Sequence, residues 1–204
     1  MTTPTLALET TEFLAYMEEW YVSLRPFSLK AELEQPKQAA VFAADLVVGF
    51  CSQGPLASPR IEGIVPATVE IFKRANDLGV QHFVLFQDTH NPEAEEFHAF
   101  PPHCISGSSE AETVPALKEL PFSDKFTVVE KNSLHPSLGN DFDHWMEEHS
   151  DLQEFIVVGD CTDLCAYSVA MHLRLRANSR GLKHRVILPV DAVQTYDMPI
   201  ETAK

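Results

Sequence analysis

Three residues able to share protons stand at the ends of separate apolar runs in this sequence. They are Asp45, Lys131 and Cys165. Cys165 closes the string Val158-Gly159-Asp160-Cys161-Thr162-Asp163-Leu164-Cys165, in which a strand ends at Gly159 and a helix opens with Thr162 or Asp163 as N-cap. A thiol in the first turn of that helix meets the positive end of the helix dipole, which favours thiolate. The free backbone N–H groups there can also stabilise a developing oxyanion, an effect worth about 3 kcal/mol per donor. Asp45 interrupts the apolar stretch Phe42-Ala-Ala-Asp-Leu-Val-Val. A buried carboxylate needs a partner or a raised pKa, and Lys131, directly after Phe126-Thr-Val-Val-Glu, is the candidate partner. Lys would favour the thiolate, Asp would carry a proton to a leaving amine, and Cys would attack a carbonyl carbon. A structural ion pair and a buried structural cysteine are the simpler alternatives.

The loop after the second run, from Asp88 to Ser109, is rich in His, Pro and Glu and has no clear periodicity. A loop that long inside a compact domain is usually functional. Asp88 and His90, two apart at a strand end, project to the same side, and a later His or Glu such as His103 can close a divalent metal site. Imidazole with carboxylate suits Zn, Fe or Mn, and donor type alone does not choose among them. Scattered surface histidines in an acidic loop would give the same short pattern.

Positioning these residues falls to apolar runs at Ala39–Val48, Phe83–Phe86, Phe126–Val129, Phe155–Val158 and Val186–Val190, read as buried parallel strands. Helical patterns fall between them: Ile64 to Leu78 with Gly79 as C-terminal cap, weaker ones over Ala111–Leu120 and Leu138–His149, and a strong one over Leu164–Asn178. Alternation of this kind implies right-handed crossovers and an α/β fold, a three-layer sandwich with a central, mostly parallel sheet. Ligands of such sheets bind beyond the carboxyl ends of the strands, where all four polar features fall. Residues 1–36 read as an N-terminal helical extension and link, with Phe13, Tyr16, Met17, Trp20 and Leu24 at helical spacing, and residues 37–204 as the catalytic domain.

Composition narrows the class. The 204 residues are 45% hydrophobic and 22% charged, and 15 Lys and Arg against 30 Asp and Glu give a net charge of −15. That balance excludes a general nucleic-acid or anionic-membrane surface and favours a small-molecule partner. No apolar run reaches the roughly 18 residues of a membrane helix, and the first residues lack a basic stretch followed by an apolar one, which predicts a cytoplasmic protein. Four cysteines in that setting are reduced thiols rather than a disulfide framework.

Asp45 with Gly49-Phe50, Lys131, and Gly159-x-x-Thr162-Asp163-x-Cys165 resemble the Asp, Lys and Cys triad of the isochorismatase-like cysteine hydrolases, over about Val41 to Val190. Within that superfamily, Asp88-Thr-His90 followed by Phe100-Pro-Pro-His103-Cys104-x-x-Gly107 is similar to the metal loop of the nicotinamidases, which isochorismatases themselves lack. The resemblance implies attack by Cys165 on a small carboxamide, nicotinamide first and another small amide as the alternative. It gives Asp45 the proton shuttle, Lys131 the stabilisation of charged forms, and the backbone N–H groups of Cys161 and Cys165 the oxyanion hole, with a cis peptide joining Asp160 to Cys161. It also implies one divalent ion, Zn first with Fe or Mn fitting the same donors, held by Asp88, His90, His103 and Glu96, although Glu95 and His98 compete for the Glu96 place. Phe50 and Phe100 would flank the substrate ring, Phe100 standing where the family usually has Trp. Members are often homo-oligomers, which would suit the apolar face of the leader helix. The chain ends at Lys204, where relatives usually continue into a further helix, which reads as a truncation. A non-catalytic, metal-stabilised module on the same fold is the reading from a different class, and thiol reactivity separates it.

Overall fold

In the computed structural model, which describes residues 9–197 and 201, the chain alternates strands and helices. The strands are β1 (Ala39–Ala44), β2 (His82–Asp88), β3 (Phe126–Lys131), β4 (Glu154–Asp160), β5 (Arg185–Ile187) and β6 (Val193–Gln194). The helices are α1 (Glu9–Val22), α2 (Leu29–Glu32), α3 (Val48–Cys51), α4 (Pro59–Glu62), α5 (Val65–Leu78), α6 (Pro115–Lys118), α7 (Phe142–Glu148) and α8 (Cys165–Arg180). The sheet runs β3-β2-β1-β4-β5, with β6 continuing alongside β4, and every described pairing is parallel.

The central strands are apolar from end to end because both faces are covered. On one face Val41, Phe83 and Ile156 pack with Phe72 and Ala75 of α5; on the other Phe42, Phe86 and Phe155 pack with Phe142 of α7 and Val169 and Leu173 of α8. Phe42 sits at the middle of the second layer, its ring 5.6 Å from Phe86 and 5.7 Å from Phe142 in edge contacts. Helix α5 ends at Gly79, whose φ of +101° closes the helix at no cost to a side chain. No helix among the described residues is long and apolar enough to cross a membrane.

Several boundaries differ from the sequence expectation. The run Ala39–Val48 is not one strand: β1 stops at Ala44, Asp45 takes a φ of +51°, and Val48 opens the single turn of α3. The helix expected over Ala111–Leu120 shrinks to Pro115–Lys118, because Pro115 can start a helix but not lie inside one. That over Leu138–His149 becomes Phe142–Glu148, and the last strand covers only Arg185–Ile187. Strand β3 is the sheet edge and half-solvated, with Val128 exposed, so its apolar run marks a strand without marking burial. The expected leader helix is present as α1, and every residue from 11 to 26 is exposed.

Candidate active site

Register brings the polar residues together. Ala44 of β1 lies opposite Phe86 of β2 and Gly159 of β4, and Asp88 of β2 lies opposite Lys131 of β3. Asp45, Asp88, Lys131 and Asp160 therefore share the carboxyl edge of the sheet, and α8 starts there at Cys165. Gly159 makes the close approach of β1 and β4 possible: it has φ +104°, and a Cβ on it would lie 2.0 Å from the Ala44 carbonyl oxygen. Gly49 does the same for the loop, since a Cβ there would lie 2.6 Å from Cys104 Sγ.

Lys131 is buried at the centre of the cluster. Its Nζ is 2.8 Å from Asp45 Oδ2, donates to Asp88 Oδ1, and lies 3.5 Å from Cys165 Sγ. The other oxygen of Asp45 accepts the Asp88 backbone N–H at 2.8 Å. Burial and the charge of Asp88 together raise the Asp45 carboxyl to about 6, against the pull of Lys131. Burial and the charge of Asp45 push the Cys165 thiol well above its ordinary value, and Lys131 offsets only part of this. The sequence expectation of a depressed thiol is thus corrected: burial and the neighbouring carboxylates raise it, and the resting group is a thiol beside a carboxylate able to take its proton. The expected N-cap is corrected as well. Leu164 occupies that position without a side-chain cap, while the Thr162 N–H donates to Gln194 O and Asp163 accepts from Thr195, tying the turn to β6. The Asp160–Cys161 peptide is cis. Among the described residues, neither the Cys161 nor the Cys165 N–H donates a hydrogen bond within the chain.

Asp88 faces two ways. While Oδ1 holds Lys131, Oδ2 lies 3.5 Å from His90 Nε2 and 3.8 Å from His103 Nε2. Burial raises the Asp88 carboxyl, yet Lys131 and both imidazoles hold it well below the usual carboxylate range. Asp88, His90, Glu96 and His103 each offer an atom within 4.8 Å of the others. Glu95 and His98, the competitors for the fourth place, face solvent and each other. Each imidazole is oriented through its far nitrogen: His90 Nδ1 meets Asn132 Oδ1 at 3.2 Å, and His103 Nδ1 meets the Pro101 carbonyl at 2.8 Å. With Nδ1 as donor in both, the Nε2 lone pairs point inward. His90 Nε2 is buried without a hydrogen-bond partner, and two imidazoles with two carboxylates match the donors a Zn, Fe or Mn ion takes. The residues present fit a divalent metal.

Both groups open onto one cavity of about 540 Å³. Asp45, Cys165, Asp88, Glu96 and His103 line it, with Phe50 and Phe100 as aromatic walls and Pro55 to Ser58 along one side. The loop after Cys51 thus borders the pocket. Three residues escaped the sequence reading. Asn132, next to Lys131 at the same strand end, also accepts the Asn91 N–H at 3.0 Å. Glu110 accepts the Cys104 N–H at 3.1 Å and holds that residue at φ +43°. Asp160 is a buried wall residue whose carboxyl is raised well above its ordinary value by burial and by Asp45 and Asp88. Adjacency to the strand ends was the available signal for Asn132 and Asp160; none existed for Glu110.

The isochorismatase domain profile matches residues 39–203. This chain belongs to the isochorismatase family. It is 31% identical over 192 residues to nicotinamidase 1 of Arabidopsis thaliana, covering 84% of this chain and 75% of that protein. Among solved structures it resembles N-carbamoylsarcosine amidase of Thermoplasma acidophilum, with a TM-score of 0.66 at 22% identity over 81% of this chain and 88% of that one. It also resembles a pyrazinamidase of Pyrococcus horikoshii solved in complex with zinc, with a TM-score of 0.65 at 22% identity over 78% and 88% of the two chains. The family agrees with the α/β fold read from the sequence, and the solved neighbours speak to that fold alone.

Proposed function

We propose that this protein is a cytoplasmic nicotinamidase, hydrolysing nicotinamide to nicotinate and ammonia in the recycling of NAD. The observation that carries the reading is the double engagement of Asp88, which sets a nucleophile cluster and a metal-type donor set on the walls of one cavity. Cys165 and Asp45 perform the proton chemistry. The thiol proton passes to Asp45 as sulfur attacks the carboxamide carbon, and the negative charge on the former carbonyl oxygen is held by the N–H groups of Cys161 and Cys165. Asp45 then protonates the departing nitrogen, ammonia leaves, and a thioester remains on Cys165. Water, deprotonated by Asp45, attacks the thioester and releases the acid and the thiol. Lys131 stays protonated throughout and offsets the charge on Asp45 and on sulfur. Asp88, His90, Glu96 and His103 would hold the divalent ion, which when bound supplies a Lewis-acid contact for the ring nitrogen of the substrate. Phe50 and Phe100 flank the ring.

Ammonia release from a panel of small carboxamides tests the proposal, measured on purified protein beside Cys165→Ala, with and without added Zn or Mn. Pyridine-3-carboxamide as the best substrate, with activity lost on chelation and restored by metal, is the expected result. Equal rates across the panel, or activity indifferent to chelation, would remove the nicotinamidase assignment and leave an amidase of other specificity.

A further inference from the structure

Strand β4 runs apolar through Phe155-Ile-Val-Val-Gly and then ends in an acid, Asp160, which is 1% exposed. Among the described residues this carboxyl forms no ion pair, the buried Lys131 ammonium being engaged by Asp45 and Asp88. Its Oδ1 has no hydrogen-bond partner, and Oδ2 meets only the Cys161 thiol, at 3.8 Å. Burying a polar group without a partner is costly, and a leucine of similar shape would avoid that cost. The fold gains nothing from an acid here. Burial, then Asp45 and Asp88, raise the Asp160 carboxyl well above its ordinary value. In either protonation state it keeps an acceptor oxygen.

Asp160 lines the cavity and directly precedes Cys161, whose N–H is one of the two oxyanion donors of the proposed mechanism. It also stands beside Asp45. Ala44 and Gly159 are paired across β1 and β4, so Asp45 and Asp160 are the next residues along two strands about 4.8 Å apart. Among the described residues that line the cavity, only Asp45 Oδ2 and Asp160 Oδ1 are side-chain oxygens buried without a hydrogen-bond partner. Asp45 Oδ2 has its ion pair with Lys131; Asp160 Oδ1 has nothing.

A primary carboxamide seated for attack by Cys165 presents one carbonyl oxygen and two N–H groups. The N–H groups of Cys161 and Cys165 fill the oxygen, which leaves two amide hydrogens for two oxygens on the wall. Asp45, which protonates this nitrogen as it departs, takes one. We propose that Asp160 Oδ1 accepts the other, so that Asp160 is the residue by which the cavity selects a primary carboxamide through its nitrogen. This deepens the nicotinamidase reading and rests on it. The role is one of binding: Asp160 holds the amide before attack and neither gives nor takes a proton.

An ester tests this, because methyl pyridine-3-carboxylate keeps the ring, the ring nitrogen and the carbonyl of pyridine-3-carboxamide and lacks both N–H groups. Hydrolysis of the two compounds is compared on the metal-loaded full chain for wild type, Asp160→Leu and Asp160→Asn, with urea unfolding alongside. Binding of both compounds to the same chains carrying Cys165→Ala reads the same contrast without turnover. Asp160→Leu is expected to lower the amide-to-ester ratio, in kcat/KM and in affinity, by about 10–100-fold, with no loss of stability. Asp160→Asn, whose side-chain carbonyl still accepts, should restore the ratio to within about threefold of wild type. A ratio unmoved by Asp160→Leu overturns the proposal and leaves the nicotinamidase reading standing, with Asp160 reduced to shaping the wall. A ratio that Asp160→Asn fails to restore overturns it too. Wild-type protein that neither binds nor hydrolyses the amide removes the nicotinamidase reading and the proposal together.

Discussion

The two halves of the site differ in how their charges are settled. In the half made by Asp45, Lys131 and Cys165, one buried ammonium answers the carboxylates around it. In the half made by Asp88, His90, Glu96 and His103, acceptors converge and a buried ring nitrogen has no hydrogen-bond partner. The first half carries its own counter-ion in Lys131; the donors of the second could hold a divalent ion. Asp88 belongs to both, so the halves are electrostatically one object.

Breaking the nucleophile has the largest expected effect. Cys165→Ala should lower the hydrolytic rate by a factor on the order of 10⁴–10⁶ and leave unfolding by denaturant nearly unchanged. Lys131→Met strikes the same half through the fold: it leaves two carboxylates buried without their counter-ion, and urea unfolding should show a loss of about 3–5 kcal/mol along with activity. The other half should break differently. Chelation, or His103→Ala, should abolish turnover while Cys165 still reacts with an alkylating reagent, scored by mass spectrometry; a thiol that turned unreactive would mean the halves cannot be separated. A smaller effect is expected at Asn132, which orients His90 without facing the cavity: Asn132→Ala should weaken metal affinity by about 10–100-fold in a competitive titration. Least of all is the pH effect. Because burial raises the Asp45 carboxyl to about 6, its base form is lost as pH falls through that value, and kcat/KM should drop on the acid side. Because turnover needs the metal, whose charge opposes that of Asp88, the limb of the loaded protein should lie below that value.

The same contrast explains what the sequence could tell. Asp45 and Cys165 follow apolar runs whose burial on both faces is written into β1 and β4, and Lys131 ends the edge strand β3, so their convergence follows from parallel register. The loop half is set by turns that no periodicity describes. Glu96 is distinguished from Glu95 and His98 only because a short 3-10 turn over Glu95–His98 turns it inward. Thr162 and Asp163 carry the residue types of an N-cap, but pairing with Gln194 and Thr195, some thirty residues on, takes them away from the helix. Desolvation, which decides the state of Cys165, is likewise a property of everything packed around the thiol, and a helix start in the sequence does not reveal it.

The strand order also has a consequence for synthesis. Because β4 pairs with β1 in the middle of the sheet, the ribosome releases β1, β2 and β3 long before β1 receives its second neighbour. Until then an entirely apolar strand offers an open edge to any other nascent chain, and Asp88, His90, Glu96 and His103 can come together while Cys165 is still untranslated. Between the translation of Lys131 and that of Asp160 this edge of β1 stays open, and slow decoding there prolongs the exposure.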